Sequence, residues 1–423
     1  MLPALEPDAE APPLYWLVGG PGYGNDWPGA IFYKQLPFPF VDAAAALRTG
    51  RDIVLVDHRG AGASQALTCP ELDPFGLGRF EGMFPLEQVR ACRDRLSEAA
   101  DLSQYHVAAA AADLELVRAS LGHERISLLG FSYGTSLALA YLREHAEYVH
   151  SAVLQGVLPL DNKVPLEHAV NGERVLRLLF ERCASDDACE AAFPGLADDF
   201  SRTLDALAEA PVELSIPVQE GVAQSVQLDR NAYASSIRML MPFAMGQSGL
   251  PRVIHAAAKG DYGPFEEAVA QGLWTPGFSV GLYLSAQCPN TLRASAAEIA
   301  EAADETPFGN HRIAVQQAAC LEWERADLPA GWFDPADYDA PMLLISGAMD
   351  HETPAAFAER VLERAAEAKH VVVPHMGHAP YDVSDASCFW NTIDAYLLEP
   401  ESADTSCLSE NESWPLDTRP GTP

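Results

Sequence analysis

Apolar residues along this chain cluster in short runs, separated by stretches of helical spacing. LYWLVGG (14–20) reads as a buried strand that ends in a glycine loop, and RDIVLVDHRGAGAS (51–64) as a second strand followed by a turn. DLELVRASLG (113–122) has helical spacing with a glycine C-cap. RISLLGFS (125–132) is a third strand, TSLALAYLREHAEY (135–148) a helix and HSAVLQGVLP (150–159) a fourth strand. From about residue 160 to 335 helical segments such as GERVLRLLFERC (172–183) dominate and strand runs are few. The alternation then resumes with APMLLISG (340–347), AAFAERVLERAAE (355–367) and HVVVP (370–374). Apolar strands alternating with helices predict a mostly parallel sheet covered on both faces, and the helical interruption predicts a cap inserted into it. The expected division is a core over 1–159 and 336–410, a mainly helical cap over 160–335, and a loose polar tail over 411–423.

Within this pattern LLGFSYGTS (128–136) places a serine between two glycines where a strand becomes a helix. Gly130, Ser132 and Gly134 fit G-x-S-x-G, a turn that projects the serine hydroxyl over the sheet's carboxyl edge. A serine hydroxyl is a weak nucleophile at neutral pH and needs a base, which needs a third group to orient it. On such a sheet the chain order is serine, acid, histidine. Asp350 follows the strand MLLISG, and His378 follows HVVVP, so both fall on loops at the same edge as Ser132. His378 is preferred to His375 because Gly377 frees its loop, and Glu352 is the alternative acid. The oxyanion of the attacked carbonyl needs N–H donors. The backbone of Tyr133 is assigned as one donor and Gly20, in VGGPGYG (18–24), as the second. The turn DHRGAGAS (57–64) reads as structural support, since Asp57 precedes the serine.

The 423 residues and 48% hydrophobic composition supply a large core, and no run approaches the roughly 20 apolar residues of a membrane span. Lys and Arg total 27 against 60 Asp and Glu, a net charge of −33 that repels nucleic acid and anionic membranes. The eight cysteines include no CxxC pair and none with a histidine at zinc-finger spacing, so no metal or other cofactor is expected. Falling in four successive pairs, they predict disulfides and an oxidising compartment, although sequence alone allows on the order of a hundred connectivities. The opening MLPALEPDAEAPP has no basic or apolar segment of a signal peptide. An exported protein would therefore carry that signal ahead of this chain.

GGPG (19–22), D-x-R-G-x-G-x-S (57–64), GFSYG (130–134), SGAMDHETP (346–354) and GH (377–378), taken in order, resemble the α/β-hydrolases related to prolyl iminopeptidase and tripeptidyl aminopeptidase. The resemblance runs from about residue 2 to 408. It implies an α/β-hydrolase core with a helical cap, and a serine triad falling on Ser132, Asp350 and His378. It also implies bonds Cys69–Cys92, Cys183–Cys189, Cys288–Cys320 and Cys388–Cys407, as in exported members, and a C-terminal section like that of the tripeptidyl-aminopeptidase-like members. Relatives have further N-terminal strands, so one or two edge strands are expected ahead of Leu2. Val18 stands where a His often precedes the GGPG of prolyl iminopeptidases, which weakens a proline-specific reading. Asn290, in QCPNTLR, stands where many relatives carry an acid, which bears on anchoring of a free amine.

The sequence reading is a secreted or periplasmic serine exopeptidase that releases N-terminal residues or short peptides through an acyl-enzyme. Cap acids such as Glu167, Glu173 and Glu181 are potential ammonium partners, two of them on a solvated face. A carboxylesterase uses the same triad and is the first alternative. A non-catalytic binding protein on this fold is the second.

Overall fold

The computed structural model of the chain describes residues 1–8, 10–25, 46–219, 222–272, 277–304 and 306–419. Six strands form one parallel sheet: β1 (Leu14–Leu17), β2 (Ile53–Leu55), β3 (Ile126–Phe131), β4 (Val149–Gln155), β7 (Met342–Gly347) and β8 (Ala368–Val373), in the order β2-β1-β3-β4-β7-β8. β5 (Val212–Gln219) and β6 (Val222–Leu228) form a separate antiparallel pair within the insertion.

The sheet strands are apolar on both faces because both faces are covered. Successive residues alternate between two cores. Tyr15, Leu17, Leu128, Leu154 and Leu344 pack on one face, and Trp16, Leu129, Val153, Leu343 and Ile345 on the other. On the first face lies the helix Tyr133–His145, and on the second the helix Ala386–Leu398, with Trp390 tilted against Trp16 at 5.7 Å. Leu17 pairs with Gly130, Phe131 with Gln155, and Gly347 with Val373. In a parallel sheet these carboxyl ends share one edge, so the loops that follow β1, β3, β7 and β8 converge there.

Most of the insertion packs in its own apolar cluster, built from the helices His168–Ser185, Leu196–Glu209, Arg230–Leu240 and Ala244–Ala257 with the β5–β6 hairpin. The helix Val280–Thr291 and the end of the helix His311–Glu322 instead join the core on the sheet. A cap spanning 160–335 as one body is therefore wider than its packing; helical spacing does not reveal which core a helix faces. The tail differs too. Residues 411–419 are held rather than loose: Asn411 donates to the Pro374 carbonyl, Trp414 to the Asp382 carbonyl and Asp417 N–H to Ser248. Leu416 gives this polar stretch an apolar anchor. Residues 420–423 lie outside the described residues.

Four disulfides are present, Cys69–Cys92, Cys183–Cys189, Cys288–Cys320 and Cys388–Cys407. No helix among the described residues is long and apolar enough to cross a membrane.

Candidate active site

Ser132 links β3 to the helix that starts at Tyr133, and its backbone sits at φ 55° and ψ −122°. A non-glycine residue at positive φ stores strain, which the surroundings must impose. They do so by close packing. A Cβ on Gly134 would collide with the Leu17 carbonyl, and one on Gly130 would lie 2.9 Å from the Gly134 carbonyl oxygen. Ser132 N–H donates to the Gln155 carbonyl at 3.0 Å, and Thr135 N–H to the Ser132 carbonyl at 2.8 Å. The turn is thereby locked from both neighbouring strands.

His378 reaches Ser132 from the loop after β8. Its Nε2 lies 2.9 Å from Ser132 Oγ, and its Nδ1 lies 2.8 Å from Asp350 Oδ2. With Nδ1–H donated to the carboxylate, Nε2 is free to accept the serine proton; the network assigns this tautomer. Asp350 is fully buried on the loop after β7. Its Oδ1 accepts the N–H groups of Glu352 at 2.8 Å and Thr353 at 3.0 Å, and its Oδ2 also accepts the Thr353 hydroxyl at 2.7 Å. The structure therefore brings Ser132, His378 and Asp350 into one hydrogen-bonded chain. His375 is exposed, and Glu352 is engaged elsewhere.

The glycine loop lies against the serine. A Cβ on Gly19 would come within 2.9 Å of Ser132 Cβ, and Gly20, at φ 124°, follows it. Tyr133 is the first residue of its helix, so its N–H has no acceptor within the helix. Asp57 takes the structural part expected of it. Its carboxylate accepts Asn25 N–H at 2.6 Å and Ala63 N–H at 2.8 Å, tying the glycine loop to the 57–64 turn.

The family described as the alpha/beta hydrolase fold matches residues 12–188, and that described as TAP-like protein matches residues 305–407. The chain has the α/β-hydrolase fold, and its matched segments are similar to hydrolases of the tripeptidyl-aminopeptidase-like kind. Among curated relatives, a putative hydrolase, YuaR, of Escherichia coli is 29% identical over 34% of this chain and 28% of its own length. The serine protease Hip1 of Mycobacterium tuberculosis is 34% identical over 21% of this chain and 17% of its own. The tripeptidyl aminopeptidase of Streptomyces lividans is 28% identical over 34% of this chain and 28% of its own. The matches thus span less than a third of each relative's length.

In this α/β-hydrolase the insertion grips the site by its backbone. Arg174, on the helix His168–Ser185, donates Nη1 to the Ala348 carbonyl at 3.0 Å and Nη2 to the Asp350 carbonyl at 2.7 Å. His378 N–H donates to the Pro242 carbonyl at 2.6 Å, and Gln155 Nε2 donates to the His378 carbonyl at 3.0 Å. Asp382 packs under the same loop, where a Cβ on Gly377 would meet its Oδ2 at 2.6 Å.

Electrostatics follow from these contacts. Burial opposes a charged imidazolium, but the Asp350 carboxylate and its hydrogen bond outweigh it, so the His378 pKa is raised. Burial likewise pushes the Asp350 carboxyl up, and His378 and Thr353 overcome it and hold it below its ordinary range. Burial lifts Asp382 to about 7, against backbone N–H groups that favour its charge. Glu352 stays well below the carboxylate range despite burial because Arg238 Nη1 lies 2.6 Å from its Oε1.

Sequence reasoning missed Thr353, whose hydroxyl sits 2.7 Å from Asp350 Oδ2 and 3.0 Å from His378 Nδ1. The signal was available: an Asp whose side chain captures the N–H groups two and three residues on is a local turn pattern, and D-x-x-T fits it. It also missed Arg174 and Arg238, whose partners are distant in sequence. Asn290 is buried and donates Nδ2 to the Leu160 and Asn162 carbonyls at 2.9 and 2.8 Å, so its amide nitrogen is spent on the chain that leaves β4.

Proposed function

We propose that the hydrolase is a serine exopeptidase that releases N-terminal residues or short peptides from substrates with a free N-terminus. The observation that carries this reading is the chain of contacts from Ser132 Oγ through His378 to Asp350, at 2.9 and 2.8 Å. His378 Nε2 takes the proton of Ser132 as Oγ attacks the substrate carbonyl, and Asp350 stabilises the imidazolium that forms. The N–H groups of Tyr133 and Gly20 receive the oxyanion. The imidazolium returns its proton to the leaving amine, giving an acyl-enzyme on Ser132. Water, activated by the same histidine, then releases the acid. The names of the relatives, a serine protease and a tripeptidyl aminopeptidase, support a peptide substrate.

The helical insertion acts as the cap that limits substrate length, with the hydrolase core on either side of it. Four disulfides support an exported protein, since such bonds persist in oxidising compartments. A carboxylesterase is the second reading. It is favoured by Asn290, which supplies no charge for an amine and is committed to two backbone carbonyls.

The test is labelling by a fluorophosphonate, followed by hydrolysis of aminoacyl, prolyl and tripeptidyl amides beside short acyl esters. Labelling at Ser132 with amide turnover is expected. An unlabelled protein would be a binding protein on a hydrolase fold.

A further inference from the structure

The chain carries a net charge of −33, yet three buried arginines cluster around Glu352, two residues beyond Asp350. Arg79, Arg238 and Arg312 come from the turn Leu77–Glu81 and the helices Arg230–Leu240 and His311–Glu322, and all three are buried. Arg238 faces both of the others electrostatically. Two carboxylates oppose them. Asp73 faces Arg79 but is also occupied by the Gly76 and Leu77 N–H groups. Glu352 is shared among Arg238, His351 and His168, with His168 Nε2 at 3.2 Å. Burial pushes His168 down to about 3, so it brings no charge of its own at neutral pH.

Arg312 makes no ion pair among the described residues, and Glu352 acts on it only from a distance. Its Nη2 donates to the Tyr283 hydroxyl at 2.7 Å, while its Nε and Nη1 have no acceptor, and the residue is only 9% exposed. Its guanidinium lies 5.5 and 5.6 Å from the ring centroids of Phe75 and Phe84. Cation–π contacts of this length return part of what burial removes, but a guanidinium without a paired acid remains under-compensated.

An aromatic wall leads to it. Phe75 packs on Phe278 at 5.3 Å, and Phe278 on Tyr23 at 4.9 Å. Phe278 also abuts Gly22, and Ser279 N–H donates to the Gly22 carbonyl at 2.9 Å. A chain of packed rings therefore connects the glycine loop beside Ser132 to Arg312. An apolar face closed by a few fixed polar groups is the usual build of a ligand subsite.

We propose that Arg312, together with Arg238 and Arg79, forms a subsite for a carboxylate of the substrate. The hydrolase then selects short peptides that carry an acidic side chain or a free C-terminal carboxylate. This inference rests on the hydrolase reading given above.

The Ser132→Ala protein, which binds without turnover, allows a direct test by calorimetric titration. Two pairs of short peptides are compared, one differing only as Glu against Gln, the other only as C-terminal acid against amide. The acid member of at least one pair is expected to bind at least tenfold more tightly, about 1.4 kcal/mol. Which pair responds identifies the source of the carboxylate. Adding Arg312→Gln should shrink the difference to within about twofold in a protein whose thermal unfolding is unchanged. Equal affinity within both pairs, including no binding by any of the four peptides, overturns the proposal, as does a preference that survives Arg312→Gln. If Arg312→Gln does not fold, the two pairs in the parent protein decide alone. Fluorophosphonate labelling of the unmodified protein reports separately on Ser132. A tenfold preference in a protein that does not label would keep the subsite and sink the hydrolase reading.

Discussion

Arg174 Nη2 lies 2.7 Å from the carbonyl oxygen of Asp350, so a helix of the insertion fastens the residue whose carboxylate holds His378 Nδ1. The same guanidinium holds the Ala348 carbonyl, and such a fork fixes a loop better than one donor does. Arg174 touches no reacting atom and is a positioning residue. Arg174→Met is expected to lower kcat by roughly tenfold to a hundredfold with little change in KM. Arg174→Lys, which keeps the charge but not the fork, should recover only part. The kcat and KM values of both variants check this, and a loss confined to KM would count against it.

The second prediction concerns the proton path itself. Ser132→Ala and His378→Ala should each lower the catalytic rate by on the order of 10⁴ to 10⁶, because the members act as a unit. His375→Ala should stay near wild type, as that residue is exposed and it is His378 that reaches the serine. Steady-state rates of the three variants, with circular dichroism to confirm folding, decide the matter. Loss of activity in the His375 variant alone would move the base to the wrong histidine.

A third prediction follows from the raised His378 pKa. The base works when neutral, so activity appears only as pH rises through that pKa. Since the shift is upward, kcat/KM should fall on acidification through a midpoint above about 6.5, the ordinary value for histidine. Burial lifts the Asp382 carboxyl to about 7, and its charge pushes His378 up. Asp382→Asn removes that charge and should move the midpoint to lower pH. A pH–rate series from 5 to 9 on both proteins measures it; an upward move in the variant would refute the electrostatic account.

The disulfides give a fourth. Non-reduced peptide mapping of protein made in an oxidising compartment should return the four sequential pairs. Cys288–Cys320 closes the longest loop, 32 residues, and joins the helices Val280–Thr291 and His311–Glu322. Replacing both cysteines by alanine should cost about 3–4 kcal/mol by the loop-closure argument. Denaturant unfolding of the double variant reads this out, and free thiols in fully active protein would contradict the export proposal.

The order of these residues was legible because each is set by a local signal. Gly130 and Gly134 flank Ser132 in five residues, and Asp350 and His378 each follow an apolar run of strand length. A parallel sheet turns that linear order into a common edge without further information. What stayed hidden depends on contacts between distant segments. Arg174 with Asp350, Arg238 with Glu352, and Arg312 on Phe75 have no sequence spacing to betray them. The β5–β6 hairpin was lost for another reason. ELSIPVQ carries an internal proline, and VAQSVQ alternates only weakly, so neither reads as a paired strand.

The last prediction separates peptidase from esterase. A peptidase that requires a free N-terminus must accommodate an ammonium group, and a buried ammonium without a carboxylate is costly. Asn290 supplies none, and the arginines near Glu352 repel a cation. Of the three cap acids, Glu181 lies on the solvent face paired with Arg177, and Glu173 is half-buried. Glu167 differs from both. It sits at the start of the helix His168–Ser185, burial raises its carboxyl, and its Oε2 is buried without a hydrogen-bond partner. An incoming ammonium would pair that oxygen. A short peptide amide with a free amine should therefore be cleaved at least roughly tenfold faster than its N-acetylated twin, about 1.4 kcal/mol of transition-state binding. The twins share every other group, so any carboxylate they carry cancels in the comparison. Glu167→Gln should bring the two rates together by slowing the free-amine peptide. Equal rates on the twins in the unmodified protein, with a short acyl ester far ahead of both, would make this an esterase.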